Sequence, residues 1–153
     1  MTDFVKGMIK MENYIKIEFP SKSCNEAFAR AAAGAFASQL DITVEELADI
    51  KTAVSEAITN AIVHGYAGIR GVVEMQCRIS DRTIEITVID KGRGIADIAL
   101  AMQPLYSGSD DEERSGMGFT VMQSFMDTLH VESQVGVGTT VTMTKKVGAI
   151  FDD

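Results

Sequence analysis

The stretch TVEELADIKTAVSEAITNAIVHG, residues 43–65, carries the best-marked helix in the chain. Thr43-Val44-Glu45-Glu46 has the form of a capping box, with a glutamate three residues after the threonine. Ile50, Val54, Ala57, Ile58 and Ala61 recur at helical spacing and make an apolar stripe. Glu56, Asn60 and His64 follow at i, i+4 and i+8, so at roughly 100° per residue they form one polar stripe beside it. The spacing predicts a helix running to about His64, with Gly65 as its C′ residue. Taken alone, the polar stripe fits a solvated flank whose last residue, His64, the helix dipole favours.

Working outward, Tyr14–Phe19 alternates apolar and charged residues as a short strand does. Residues 23–40 are alanine-rich and helical, with Ser23 or Ser21 as N-cap. Val72–Ile79 and Thr83–Ile89 are two strands joined through Ser80-Asp81-Arg82 as a hairpin. Residues 90–118 are mostly irregular, with one turn of helix near Ile98–Met102. Gly118–Asp127 is helical, and Leu129–Gln134 and Thr139–Lys146 are strands around Val135-Gly136-Val137-Gly138. The order β-α-α-β-β-loop-α-β-β predicts an α+β fold of two layers, a mixed or mostly antiparallel sheet with helices on one face. So long an irregular stretch is more than a connector in a compact domain and marks an active-site lid or a disordered segment.

With 153 residues, the chain suits one domain with a single core. Met11-Glu12-Asn13 looks like a second start, so residues 1–10 are expected to be an N-terminal extension or an added leader. Residues 11–147 then form the domain and 148–153 a C-terminal tail. A net charge of −8 argues against coating nucleic acid or an anionic membrane. An acidic protein can still bind a nucleotide, given a metal ion and a few local donors to offset the phosphates. No uncharged stretch reaches the roughly 18–20 residues of a membrane span, and no apolar run follows a basic head at the start. Cys24 and Cys77 form no metal or disulfide framework and are expected to be buried or semi-buried thiols of a cytoplasmic protein.

Asp90-Lys91-Gly92-Arg93-Gly94-Ile95 follows a strand directly. Its two glycines let backbone come close to a flat ligand. A carboxylate at the strand end can accept from an exocyclic amino group such as adenine carries, whereas the matching carbonyl of guanine would be repelled. The same residues also suit an ordinary strand-to-loop turn. Ser115-Gly116-Met117-Gly118-Phe119 opens the next helix, where free N–H groups can cradle phosphate oxygens. Thr139-Thr140 starts the last strand, and the Thr139 hydroxyl could reach a base bound beside Asp90, although β-branched residues suit any strand. Met117, Met122, Met126, Phe119 and Phe125 are expected in the core.

Together, Glu56-xxx-Asn60-xxx-His64, Asp90-x-Gly92-x-Gly94 and Gly116-x-Gly118-Phe119 resemble the N, G1 and G2 boxes of the GHKL (Bergerat-fold) ATPase and kinase superfamily. Within it, residues 11–30, 50–66 and 103–119, above all Glu113-Arg114-Ser115-Gly116-Met117-Gly118-Phe119, are similar to the sporulation anti-sigma F factors, which are small serine kinases. The link of residues 67–71 is short for that family. The resemblance implies a homodimeric protein that sequesters a sporulation sigma factor. It further implies that ATP is used to phosphorylate a serine of an anti-anti-sigma factor, with ADP or ATP biasing the choice of partner. It implies Glu56 as catalytic base, Asn60 as ligand of Mg²⁺, and Asp90 as the adenine acceptor. His64, Gly92, Gly94, Ile95, Arg114, Ser115, Gly116, Met117, Gly118, Phe119 and Thr139 complete the ATP site, with Arg114 at the γ-phosphate, and Arg30 is an exposed partner contact. Lys91 and Arg93 fit a solvated role as well as a phosphate role. A general stress anti-sigma kinase and a nucleotide-switched module without catalysis are the competing readings. Retention of Glu56 speaks against the second, since binding alone needs no base.

Overall fold

The computed structural model describes residues 12–103 and 118–148. In chain order they form β1 (Glu12–Pro20), α1 (Asn25–Ala37), α2 (Val44–Thr59), a π-helical segment (Asn60–Gly65), β2 (Val72–Ser80), β3 (Thr83–Asp90), α3 (Ile98–Ala101), α4 (Gly118–Phe125), β4 (Thr128–Gln134) and β5 (Gly138–Lys146). The strands make one sheet in the order β1-β2-β3-β5-β4, and every neighbouring pair is antiparallel. The expected choice between a mixed and an antiparallel sheet therefore resolves to antiparallel throughout. Two of the four pairs, β2–β3 and β4–β5, are hairpins and so antiparallel by construction of the turn. In the first, Asp81 takes the left-handed conformation (φ 58°), which a short polar side chain tolerates.

Strand alternation then decides the layers. Met75, Cys77 and Ile79 of β2, Ile84, Ile86 and Val88 of β3, and Val141 and Met143 of β5 are buried on one face. Against them lie Ile50, Val54, Ala57 and Ile58 of α2, flanked by Ala29, Ala33 and Phe36 of α1 and by Phe119 and Met122 of α4. Each fully buried isoleucine or methionine contributes roughly 1.5–3 kcal/mol. Met126 is buried too, and Phe125 is half-buried. Met117 and residues 1–11 and 149–153, hence the expected extension and nearly all of the expected tail, lie outside the described residues.

The capping box is present. Thr43 Oγ1 accepts from the Glu46 N–H at 3.0 Å, and Glu46 Oε1 accepts from the Thr43 N–H at 3.0 Å. Three local expectations are corrected. The N-cap position of α1 is Cys24, with no side-chain cap, and not Ser23 or Ser21. The Ser21 hydroxyl is committed elsewhere, accepting from the Gly71 N–H at 2.9 Å. Cys24 is exposed rather than buried, while Cys77 is buried, which pushes its thiol up to about 12. Finally, the long helix does not stay α-helical to His64. From Asn60 it widens, and the Tyr66 N–H donates to Ala61 five residues back. Gly65 does not take the left-handed C′ conformation; Ala67 (φ 48°) and Gly68 (φ 90°) turn the chain instead.

Candidate functional site

A cavity of about 350 Å³ opens where α2 passes into the π segment beside the ends of β3 and β5. Ala57, Asn60, Ala61, His64 and Gly65 line one wall. Val88 and Asp90 of β3, Thr139 and Val141 of β5, Gly94 and Ile95 of the following loop, and Phe119 of α4 line the rest. The apolar part is built by two simple periodicities. Ala57, Ala61 and Gly65 are small residues one turn apart, and Val88 and Val141 each lie two positions from Asp90 and Thr139 on the same strand face.

Asp90 is the buried acid of the cavity, only 6% exposed. Burial pushes its carboxyl above the usual carboxylate range, while backbone hydrogen bonds from Gly92 and Thr139 pull the other way. The Gly92 N–H donates to Oδ1 at 2.9 Å. Around this carboxylate the backbone comes unusually close. A Cβ on Gly65 would lie 2.7 Å from the Asp90 carboxyl, and one on Gly92 would lie 1.9 Å from the Gly65 carbonyl oxygen. The Arg93 N–H donates to that same carbonyl at 2.8 Å. Gly65 and Gly92 are thus glycines because helix end and loop meet here without room for side chains. Gly92 itself is not a lining residue, whereas Gly94 is.

Ser133 of β4 ties the far side. Its hydroxyl accepts from the Ile95 N–H at 2.7 Å, donates to the Gly138 carbonyl at 3.0 Å, and lies 2.8 Å from Thr139 Oγ1. Tyr66 ties the near side, its hydroxyl donating to the Val72 carbonyl and accepting from the Lys91 N–H at 2.8 Å. Tyr66, Ser133 and the Gly65 contact escaped the sequence reading. The small-residue spacing of Ala57, Ala61 and Gly65 was a visible signal for the last. Nothing in the sequence distinguishes Ser133 from any other strand serine.

Of the remaining expected residues, Glu56 sits half-buried one turn before Asn60 and does not line the cavity. Gly118 starts α4 against Asn60, where a Cβ would lie 3.0 Å from Nδ2. Arg93 lines the cavity with an exposed side chain, and Lys91 is exposed. Arg30 is on α1, outside the cavity lining, and pairs with Glu26 at 3.1 Å. Arg114, Ser115, Gly116 and Met117 lie outside the described residues. Among the described residues no group of three His, Cys, Asp or Glu side chains could cage a metal, and no helix is long and apolar enough to cross a membrane.

Residues 19–145 match the family model of the histidine kinase-like ATPase domain. The chain is 58% identical over 137 residues to the anti-sigma F factor of Thermoanaerobacter sp. (strain X514), covering 90% of this chain and 96% of that protein. It is 54% identical over 142 residues to the anti-sigma F factor of Clostridium acetobutylicum, covering 93% and 99%. The solved RsbU and RsbW domains from Mycobacterium tuberculosis share the fold, with a TM-score of 0.63 at 21% identity over 88% of this chain and 32% of that one. The histidine kinase domain of a blue-light activated histidine kinase from Erythrobacter litoralis gives 0.52 at 22% identity, over 84% and 62%.

Proposed function

We propose, from the premise that this chain belongs to the histidine kinase-like ATPase family and groups there with the anti-sigma F factors, that it is a sigma-binding protein kinase. It holds a sporulation sigma factor out of use, and it transfers the γ-phosphoryl group of ATP to a serine of an anti-anti-sigma factor, working as a homodimer in the cytoplasm. The observation that carries the nucleotide reading is the buried Asp90 carboxylate in a cavity whose wall also presents Asn60.

Asp90 accepts from the adenine amino group, and Thr139, Gly94 and Ile95 flank the base. His64 and Phe119 close the pocket beside it. The Asn60 side chain offers a neutral oxygen, a donor set that fits Mg²⁺, which keeps most of its ligands from phosphates and water. Bound there, Mg²⁺ would supply charge neutralisation on the phosphates. Arg114, Ser115, Gly116, Met117 and Gly118 are assigned to the phosphate end, with Arg114 at the γ-phosphate. Glu56, one turn before Asn60, takes the proton of the serine hydroxyl as its oxygen attacks.

The direct test is incubation with labelled ATP and a candidate anti-anti-sigma factor, followed by mapping of the labelled residue. Label on a serine supports the reading; label retained on a histidine of the chain itself, or no transfer, overturns it.

Two expected results bear on the roles. First, ADP affinity should depend on pH through Asp90. Its free-state carboxyl titrates above the ordinary range, and accepting from adenine favours the charged form, so affinity falls as pH drops through that raised value. Stability runs the opposite way: the unfolded chain loses this proton first, so the Asp90 contribution falls as pH rises from the unfolded to the folded value and is then flat. Calorimetry of ADP binding at neutral and mildly acid pH checks this; the Asp90→Asn variant should bind weakly and lose this pH dependence. Second, Arg30→Glu places a second negative charge beside Glu26 and should weaken the sigma factor complex roughly tenfold or more while ADP affinity stays unchanged. Pull-down titration with the sigma factor and calorimetry with ADP separate the two effects, and equal loss of both would reject the partner role.

A further inference from the structure

A second concavity, of about 580 Å³, adjoins the first on the other side of His64 and Arg93. Lys22, Arg70 and Arg93 line it, over an apolar floor that includes Ile62 and Val63. Among the described residues no acid lines it, although the chain carries a net charge of −8. None of the three cations makes an ion pair among the described residues. Three uncompensated positive side chains around one hollow of an acidic protein create a local potential that draws an anion. The hollow is also preformed. Ser21 and Gly71 exchange two hydrogen bonds, Ser21 N–H to the Gly71 carbonyl and Gly71 N–H to Ser21 Oγ, both 2.9 Å, and the Ile69 N–H donates to the Tyr66 carbonyl at 2.9 Å. The loop that carries Arg70 is thereby braced before any ligand arrives.

We propose that this hollow is a second ligand site, taking a small molecule that bears a phosphate group. Two guanidinium forks and an ammonium match phosphate oxygens, and the volume falls in the usual range of small-ligand pockets, roughly 300–1,000 Å³. The Ile62 and Val63 floor accepts an apolar body attached to the phosphate. Because Arg93 and His64 line both cavities, the occupant of one shares a wall with the occupant of the other.

The test uses the full chain saturated with ADP and Mg²⁺, so that the first cavity is filled, and titrates inorganic phosphate while amide NMR signals are followed. Saturable shifts of Gly68 and Ile69 are expected. The double variant Lys22→Ala, Arg70→Ala should bind phosphate roughly tenfold more weakly or worse and keep its ADP affinity within about twofold, which shows that it is folded. Shifts absent from residues 67–71, confined to the first cavity, or unchanged in the double variant would overturn the proposal. Acetate at matched ionic strength producing the same shifts would overturn it as well, by showing a response to ions in general.

Discussion

Replacing Glu56 by Gln should lower phosphoryl transfer to the protein acceptor by roughly 10²–10⁴-fold, the contribution a positioned base makes. The substitution keeps the size and the helical propensity of the side chain and removes its ability to take a proton. Glu56 does not line the cavity, so ADP affinity should stay within about twofold of the parent. Its place one turn before Asn60 is fixed by the α2 core residues Val54, Ala57 and Ile58, all buried. Single-turnover transfer measured beside nucleotide affinity makes the comparison. Unchanged transfer would remove Glu56 from the chemistry, and a parallel loss of affinity would assign it to binding.

Gly92→Ala should weaken nucleotide binding, and by a different route. The new Cβ would sit 1.9 Å from the Gly65 carbonyl oxygen and 3.0 Å from Asp90 Oδ1. Relief requires the loop to leave the end of the π segment, which breaks the Arg93 to Gly65 hydrogen bond and withdraws the Gly92 N–H from Asp90. Overpacking of this kind costs about 1–3 kcal/mol of stability, and losing the ordered carboxylate should cost ADP affinity roughly a hundredfold. Thermal melting and calorimetry read the two effects separately. Parent-like ADP binding would show that Asp90 does not depend on this packing for its role.

Much of this architecture could be read before any coordinates. The capping box at Thr43 and Glu46 sits on two short-range hydrogen bonds, so four residues of sequence suffice to see it. The strands were legible because β2 and β3 alternate cleanly between a buried and an outer face. The polar stripe and Asp90 were found because their residue types are ones the core alone does not demand, and Asn60 and His64 of that stripe line the same cavity as Asp90. What escaped depends on distant partners. The widening at Asn60 leaves no mark in the sequence, since Asn-Ala-Ile-Val-His-Gly is equally a good end of an α-helix. Gly65 was assigned to a helix-ending turn because that is the commoner reason for such a glycine, whereas its neighbour is a carboxylate far along the chain. Ser21 looked like a cap for the same reason, and it is Gly71 that claims its hydroxyl.

The sheet order has a consequence for how the molecule assembles. β2–β3 and β5–β4 are built from hairpins that close within a few residues, but β1 must bring residue 12 opposite residue 80. Such hairpins form in roughly microseconds, while closing the long segment that contains α1 and α2 carries a larger entropic cost. Joining β3 to β5 closes a stretch of comparable length, so both of these long-range pairings follow the two hairpins. β1, like β4 an edge strand held by a single neighbour, opens before the centre of the sheet, so the amides of Ile15 and Ile17 should exchange with solvent sooner than those of Ile84 and Ile86 at the centre.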